Sequence, residues 1–590
     1  MARADVDLVF VPGGTTVAEL ADRGLAPGLM SAGLGSVPPA QTYLDITQGN
    51  RVFDSLYDTQ LHPLGPDCEA WPAVLSRADS APADIVPGIL QSELRAAGIG
   101  VRVGGGASCT FSAPRPEAPA GAVSPEKLSG APHPDPAPTF EVRNVNPRRL
   151  PALVRNLHGD DLLVAIERPP PDEGRALAIG IAGRGFEGDL TSDSTRLDGY
   201  VLSTDVAPTV LERLGVAVPS EMSGRPIGAE GAVDAASIES LGDRMAAIPD
   251  RRGPVIGFAL LAWIVALALA SVLGGERLAR PAVRLAGLAI VYLPLMLLLG
   301  AALESSTGFE QLLVILGAPL LAAATLAALG GYRALGVASA ATVLAYAVDM
   351  IAGSPLTSLS LLGPNPGLGV RFYGIGNELE ALLAVLVVAG TGAALTGFRP
   401  SLAPRPAAAV FLTVGLLAAF VFAAGRFGAD VGAAIVFPLG AAVAAAVLAA
   451  SSRRTALLIV ATPILAVGTL ALIDLFSGAD AHLTRSVLDA GGLGDLADVA
   501  QRRLQLSAHS FSRPIVFVFL PLIIAVAVLA FVWRERIAAW LVPRPSARAG
   551  LAGALVATVA GTLANDSGAL LLEIGSAYLL VFLGYAWAAR

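Results

Sequence analysis

Arg371-Phe-Tyr-Gly-Ile-Gly-Asn377-Glu378-Leu-Glu380 opens an apolar run that continues to Gly397, and Gly425-Arg426-Phe-Gly-Ala-Asp430 stands between two more. Each is a glycine-bearing turn that sets charge at the threshold of a helix long enough to cross a bilayer. Charge beside hydrocarbon is costly, so Arg371, Glu378, Glu380, Arg426 and Asp430 are candidates for function, and the class they imply is a membrane protein.

Composition agrees. The 590 residues are 54% hydrophobic and 15% charged, with mean hydropathy +0.64, too apolar for an ordinary soluble chain. The apolar residues are unevenly spread: residues 1–250 read as a mixed, Pro/Gly-rich α/β domain and 251–590 as serial apolar runs. A formal charge of −8 without a basic tract speaks against nucleic acid as a partner. The cysteines, Cys68 and Cys109, both fall in the first part and read equally as two thiols or one disulfide.

Candidate spans fall at about 254–273, 285–303, 311–329, 335–352, 377–397, 407–424, 431–450, 455–475, 515–533, 549–565 and 569–588, a polytopic domain of about 11 helices. Alternate connections differ in charge. One set holds Arg277, Arg280, Arg284, Arg333, Arg399, Arg405, Arg453, Arg454, Arg534, Arg536, Arg544, Arg548 and the terminal Arg590; the other holds Glu304, Glu310, the 354–376 loop, the Arg426 turn, the 476–514 loop and Asn565-Asp566. Positive-inside bias assigns the first set, with the C-terminus, to the cytoplasm and puts the N-terminal domain outside. The first strand, Asp7-Leu-Val-Phe-Val-Pro, starts too near Met1 to leave room for the ~15–30 residues of a signal peptide, so an upstream signal anchor is the expectation.

In the N-terminal domain, Val86 to Gly98 reads as a helix leading into the strand Ile99-Gly-Val-Arg-Val-Gly, and 110–151 as a proline-rich loop. Further strands are expected at Asp161-Leu-Leu-Val-Ala-Ile and Arg175-Ala-Leu-Ala-Ile-Gly-Ile-Ala-Gly. Thr191-Ser-Asp-Ser-Thr is followed by Ser203-Thr-Asp205-Val-Ala-Pro-Thr-Val-Leu-Glu-Arg-Leu-Gly215. There Thr204 or Asp205 can cap a helix with Val206, Val210, Leu211 and Leu214 on one face. Met222-Ser-Gly-Arg-Pro-Ile227 closes the set.

This order resembles the C-terminal part of the alkaline phosphatase and sulfatase superfamily, whose Ser/Thr-rich turn, "TDxaPTxLxxLG" helix and "mxGRxl" tail follow one another. The resemblance covers roughly residues 5–228 and implies an alkaline phosphatase-like fold with a two-metal site and a Ser/Thr nucleophile. The metal-site residues it implies are missing, because the first strand ends in Val11-Pro-Gly-Gly and an expected Asp-His-Gly is replaced by Ile181-Ala-Gly-Arg-Gly. His62, His133 and His158 are the histidines of this region. Two hard cations need more ligands than these, so the expectation is a degenerate, non-catalytic domain with no metal and no cofactor.

Residues 370–515 resemble the O-antigen ligase and polymerase family, in which an outer-face "RxxGfxnpN" turn, a later "sRgaxla" turn and a large outer loop follow in order. Arg371 to Asn377, Gly425 to Asp430 and the amphipathic 476–514 loop with His482, Arg485, Arg502 and Arg503 match that order; Glu378, Glu380 and Asp430 depart from the pattern. The resemblance implies an outer-leaflet transferase acting on a polyprenyl-phosphate-linked or other lipid-phosphate glycan. Arg371, Asn377, Arg426, Arg485 and Asp566 would bind the substrate, the arginines as bidentate donors, with Glu378, Glu380, Asp430 or His482 as catalytic groups. The alternative is a transporter or flippase of an anionic lipid that uses the N-terminal domain as a binding or gating module. Structural readings compete: Asn377 and Glu380 have capping-box spacing, Asp430 suits a helix N-terminus, Arg426 and Asp430 could pair, and Asn565 to Ser567 could cap the last helix.

Overall fold

The computed structural model describes residues 4–589 except 63, 65–67, 82, 105–107, 113–137, 171–175, 365, 450–458, 460, 470–503, 506, 509, 513–515 and 566. Much of the proline-rich loop, about half of the expected span 455–475 and most of the 476–514 loop therefore lie outside the described residues; residues 459 and 461–469 of that span are helical. The chain divides into two compact units, Met1–Ala247 with Asn365–Phe372, and Ile248–Pro364 with Tyr373–Arg590.

The first unit is an α/β domain on a seven-stranded mixed sheet. Its strands are β1 (Val6–Val11), β2 (Ala26–Ser31), β3 (Gly100–Val103), β4 (Thr139–Asn144), β5 (Leu162–Glu167), β6 (Leu177–Gly183) and β8 (Tyr200–Leu202), in the order β3-β4-β1-β5-β6-β2-β8. Strand β6 runs against both β5 and β2, and the other strands are parallel. The central strands β1, β5 and β6 are near-continuous apolar runs because both sheet faces are covered. A small antiparallel pair, β7 (Asp189–Thr191) with β9 (Gly228–Glu230), lies apart from the main sheet.

The helices are α1 (Val17–Ala21), α2 (Pro39–Gln48), α3 (Trp71–Asp79), α4 (Ile89–Ala96), α5 (Ser108–Ser112), α6 (Leu150–Arg155) and α7 (Val206–Arg213), followed by α8 (Ala235–Arg252). Helix α4 stops before Gly98, at φ 74°, and leads into β3 as its residues suggest. Helix α7 starts at Asp205, whose carboxylate accepts the Leu202 and Arg225 amides and the Ser194 hydroxyl. It ends before Gly215, at φ 72°. The tail at Gly224 needs a glycine for a local reason: a Cβ there would lie 2.0 Å from the Thr204 carbonyl oxygen. Cys68 and Cys109 form a disulfide, with Cα atoms 5.2 Å apart.

The second unit is helical. Among the described residues, eight helices are long and apolar enough to cross a membrane, which makes this a multi-pass membrane protein. The first of them carries two of the expected spans, because α9 (Phe258–Ala302) breaks at Gly275, at φ 51°, between the runs 254–273 and 285–303. Then come α10 (Thr307–Leu312) running on into α11 (Ala318–Leu329), α12 (Gly331–Ile351), α13 (Asn377–Phe398), α14 (Pro404–Ala423) and α15 (Val431–Ala449). After the undescribed stretch come the shorter apolar α16 (Val516–Val532), α17 (Arg534–Leu541), α18 (Pro545–Ala564) and α19 (Gly568–Ala588). Glycines let these helices approach closely: a Cβ on Gly392 would lie 2.6 Å from the Ser546 carbonyl oxygen, and one on Gly553 2.3 Å from that of Gly440.

Candidate functional site

The two ends of the helical unit differ chemically. At one end arginines bond the last carbonyls of helices. Arg284 donates to Ala588, Arg333 to Gly397 at 3.0 Å, and Arg544 to Ala589 at 2.7 Å, while the Tyr585 hydroxyl donates to Gly331. The opposite end is acidic and is built from helix starts and the turns that lead into them.

Three of those turns meet. The Gly374 amide, at φ 80°, donates to Ser354 Oγ at 3.1 Å, and the next amide, Ile375, donates to the Gly428 carbonyl at 3.1 Å. The approach depends on glycine, since a Cβ on Gly374 would lie 2.1 Å from the Gly428 oxygen. Helix α13 starts at Asn377 with Gly376 as its N-cap, so the capping-box register is not adopted: Asn377 is already helical and the Glu380 carboxylate turns away from the cap. It is fully buried and accepts from Asn565 Nδ2 at 2.5 Å, where the chain passes from α18 to α19. Gly432, in the first turn of α15, completes the arrangement. A Cβ there would meet the Glu380 carboxylate oxygens at 2.6 and 2.9 Å and Asn565 Nδ2 at 3.0 Å.

The remaining charges stand around this junction. Asp430 is buried and accepts the Ala433 amide at 3.2 Å, capping α15, as its position at a helix N-terminus suggests. Asp349 is also buried and accepts the Leu356 and Thr357 amides at 3.1 and 2.8 Å. Glu378 is half-buried and pairs with Arg252 at 3.7 Å, and Arg252 also donates to the Gly363 carbonyl. Glu310 is buried, with Arg251 at 2.5 Å. Arg426 is exposed.

Of the residues expected from sequence, Asn377, Glu378, Glu380, Arg426 and Asp430 thus belong to turns joined directly by hydrogen bonds. Arg371 lies in the segment Asn365–Phe372, which is compact with the N-terminal unit. His482, Arg485 and Asp566 lie outside the described residues. Sequence reasoning overlooked Arg252, Gly432 and the bond between Glu380 and Asn565. The last joins positions 185 residues apart, so no local pattern announces it.

No family model, curated protein or solved structure matches this chain. Its chemistry is read from its own geometry.

Between the two ends, the polar side chains described in the helices are largely hydroxyls and one indole that reach carbonyls of their own or neighbouring helices. Thr342 donates to Val291 at 2.9 Å, Tyr346 to Pro294 at 3.0 Å, Tyr578 to Ile290 at 3.1 Å and Trp263 to Ile315 at 3.2 Å. Glu573, more than a turn into α19, is the charged exception among these interior positions.

The N-terminal unit has a polar site of its own, at the carboxyl ends of its parallel strands, where open α/β sheets commonly bind ligands. After β1, the Gly14 amide donates to Glu167 Oε1 at 2.6 Å, and the Ala178 amide donates to Oε2 at 3.1 Å. Glu167 thereby ties three strand ends together. Beyond β2, Asp45 on α2 is buried and accepts from Gln41 and Gln48 at 2.7 and 3.1 Å. Burial pushes its carboxyl up to about 7 against the opposing pull of Gln41, Arg51, Gln48 and Arg77. Arg77 is buried, bonds Gln41 and Asp54, and lies 3.5 Å over the Tyr57 ring. Among the described residues, no three histidine, cysteine or carboxylate side chains are grouped to hold a metal ion.

Proposed function

We propose that the acidic-end junction is an outer-leaflet site for the phosphate head of a lipid-linked glycan, and that the protein transfers a glycan or phospho-group there. The observation that carries this reading is the meeting of three helix-leading turns, with the exposed Arg426 and the half-buried Arg252–Glu378 pair around them. Two guanidinium forks suit a phosphate or diphosphate, and Glu378 is the carboxylate with access to an acceptor hydroxyl. Glu380 and Asp430 act in this reading as the frame, since one is sealed against Gly432 and Asn565 and the other caps α15. Glu573 apart, the polar side chains described in the interior are largely hydroxyls already bonded to helix carbonyls, which supports this reading over a carrier, whose path would need further polar groups.

The N-terminal domain belongs to the same proposal as a non-catalytic alkaline phosphatase-like module on the outer face. The mixed sheet with one reversed strand and the close fit of Gly224 under Thr204 support the fold, and the Cys68–Cys109 disulfide supports an oxidising compartment.

The test is mass spectrometry of lipid copurified with wild-type protein and with Arg252→Lys and Arg426→Lys. Lysine keeps the charge and loses the bidentate fork, so each variant is expected to retain its fold and lose most of its bound lipid phosphate. Wild-type occupancy in both variants would reduce these arginines to structural ion partners.

A further inference from the structure

The strand-end crevice of the N-terminal unit is occupied by a piece of the same chain that the sequence places between two membrane helices. Residues 366–372 pass the carboxyl end of β2 and the turn after it, and reach Tyr200 at the start of β8. Gly35 N–H donates to the Leu368 carbonyl at 2.7 Å, and Arg51 Nη2 donates to the Gly369 carbonyl at 2.8 Å. The other arm of Arg51, Nη1, donates to Ser31 Oγ and the Gly33 carbonyl, both at 3.2 Å, so the fork is oriented from the β2 side before it meets the segment. The Phe372 ring lies 5.4 Å from that of Tyr200, and both side chains are buried.

Glycine is demanded twice. A Cβ on Gly369, at φ 68°, would lie 2.2 Å from the Gly33 carbonyl oxygen and 2.5 Å from Ser31 Oγ; one on Gly367 would lie 2.5 Å from the Met245 carbonyl oxygen. A side chain at either position would push the segment out of the crevice.

We propose that this crevice is a peptide-binding site whose occupant is the chain's own 366–372 segment, with Arg51 as its principal main-chain reader. Recognition is through backbone carbonyls, two glycines that permit close approach, and one aromatic anchor. The ligand class is therefore a Gly-x-Gly peptide folded as a 3-10 turn, Pro366–Leu368, closed at Gly369 and followed closely by an aromatic residue, not a phosphate ester. Arg51 serves as a clasp on this segment, which is part of the stretch of chain that follows α12 and precedes α13. Asp45 and Asp205 are acidic groups close enough to act on the Arg51 guanidinium electrostatically.

Hydrogen exchange on the full-length protein in lipid nanodiscs tests this. In wild type, the Gly35 amide and the 366–372 segment should exchange as slowly as β2; free exchange at Gly35 would overturn the proposal without any variant. Arg51→Lys, which keeps the charge near Asp45 and Asp205 but not the two-armed geometry, should speed exchange in 366–372 by about tenfold. Gly369→Ala should release the segment fully. In both variants β1 and β5 should keep wild-type protection, which separates release from unfolding. Wild-type protection of 366–372 in both folded variants would show that the crevice does not hold the segment.

Discussion

A carboxylate without exposed surface, as at Glu380, needs donors close by, because desolvation of an unpaired charge exceeds any single packing gain. Asn565 supplies one donor, and Gly432 supplies space. That division of labour has a measurable consequence. Gly432→Ala alone should drive a methyl into the carboxylate and destabilise the protein by about 1–3 kcal/mol. Glu380→Ala alone should remove the partner of a buried amide and cost about 1–3 kcal/mol. In the double variant the new methyl has room where the carboxylate stood, so the two losses should fall short of their sum by about 0.5–3 kcal/mol. Thermal unfolding of the four proteins in one detergent measures the coupling. Simple additivity would mean that Gly432 does not seat Glu380.

At the level of elements, α2 shows how burial makes a helix pH-sensitive. Its Asp45 titrates near 7 when folded and near the ordinary 3.8 when unfolded, so between about pH 4 and 7 the folded state binds more protons. Stability of this region is therefore highest below about pH 4, as far as this group is concerned, and declines as pH rises through 7. Asp45→Asn keeps the shape and an acceptor for Gln41 and Gln48. It should flatten that decline, which is worth roughly 1.4 kcal/mol for each unit of pKa displacement. Exchange of the α2 amides at pH 5 and 8 in the two proteins measures it; an equal decline in both would assign the pH dependence to another group. The same helix shows what sequence could tell. The apolar runs of α9 to α15 were legible because a bilayer demands length and hydropathy, and α7 because Asp205 and Gly215 mark its ends. Neither Asp45 nor Arg51 stood out, because their meaning depends on β2 and on a segment more than 300 residues away. Gly369, Gly374 and Gly432 read as turn or helix glycines until the atoms facing each of them are known.

Across the whole chain, the charge asymmetry that suggests an orientation has a second physical cause. Arginines donate to helix C-terminal carbonyls at one end of the helical unit, while Glu310, Glu378 and Asp430 sit at helix N-termini at the other, so both sets also complement helix dipoles. Dipole complementarity alone would not choose which end faces the cytoplasm; positive-inside bias does. The two causes separate experimentally through a membrane-impermeant maleimide applied to intact cells. The native cysteines form the Cys68–Cys109 disulfide and leave no background thiol. Gly308→Cys at the acidic end is suitable because nothing lies within 4 Å of its Cβ, and Ser401→Cys is exposed on the connection between α13 and α14 at the other. The expected outcome is labelling at 308 without permeabilisation and at 401 only after it. The reverse pattern would place the Glu378–Arg252 junction in the cytoplasm, and an outer-leaflet lipid-phosphate site would no longer be tenable. The Arg51 clasp would be untouched by that result, because it rests on contacts within the N-terminal unit alone.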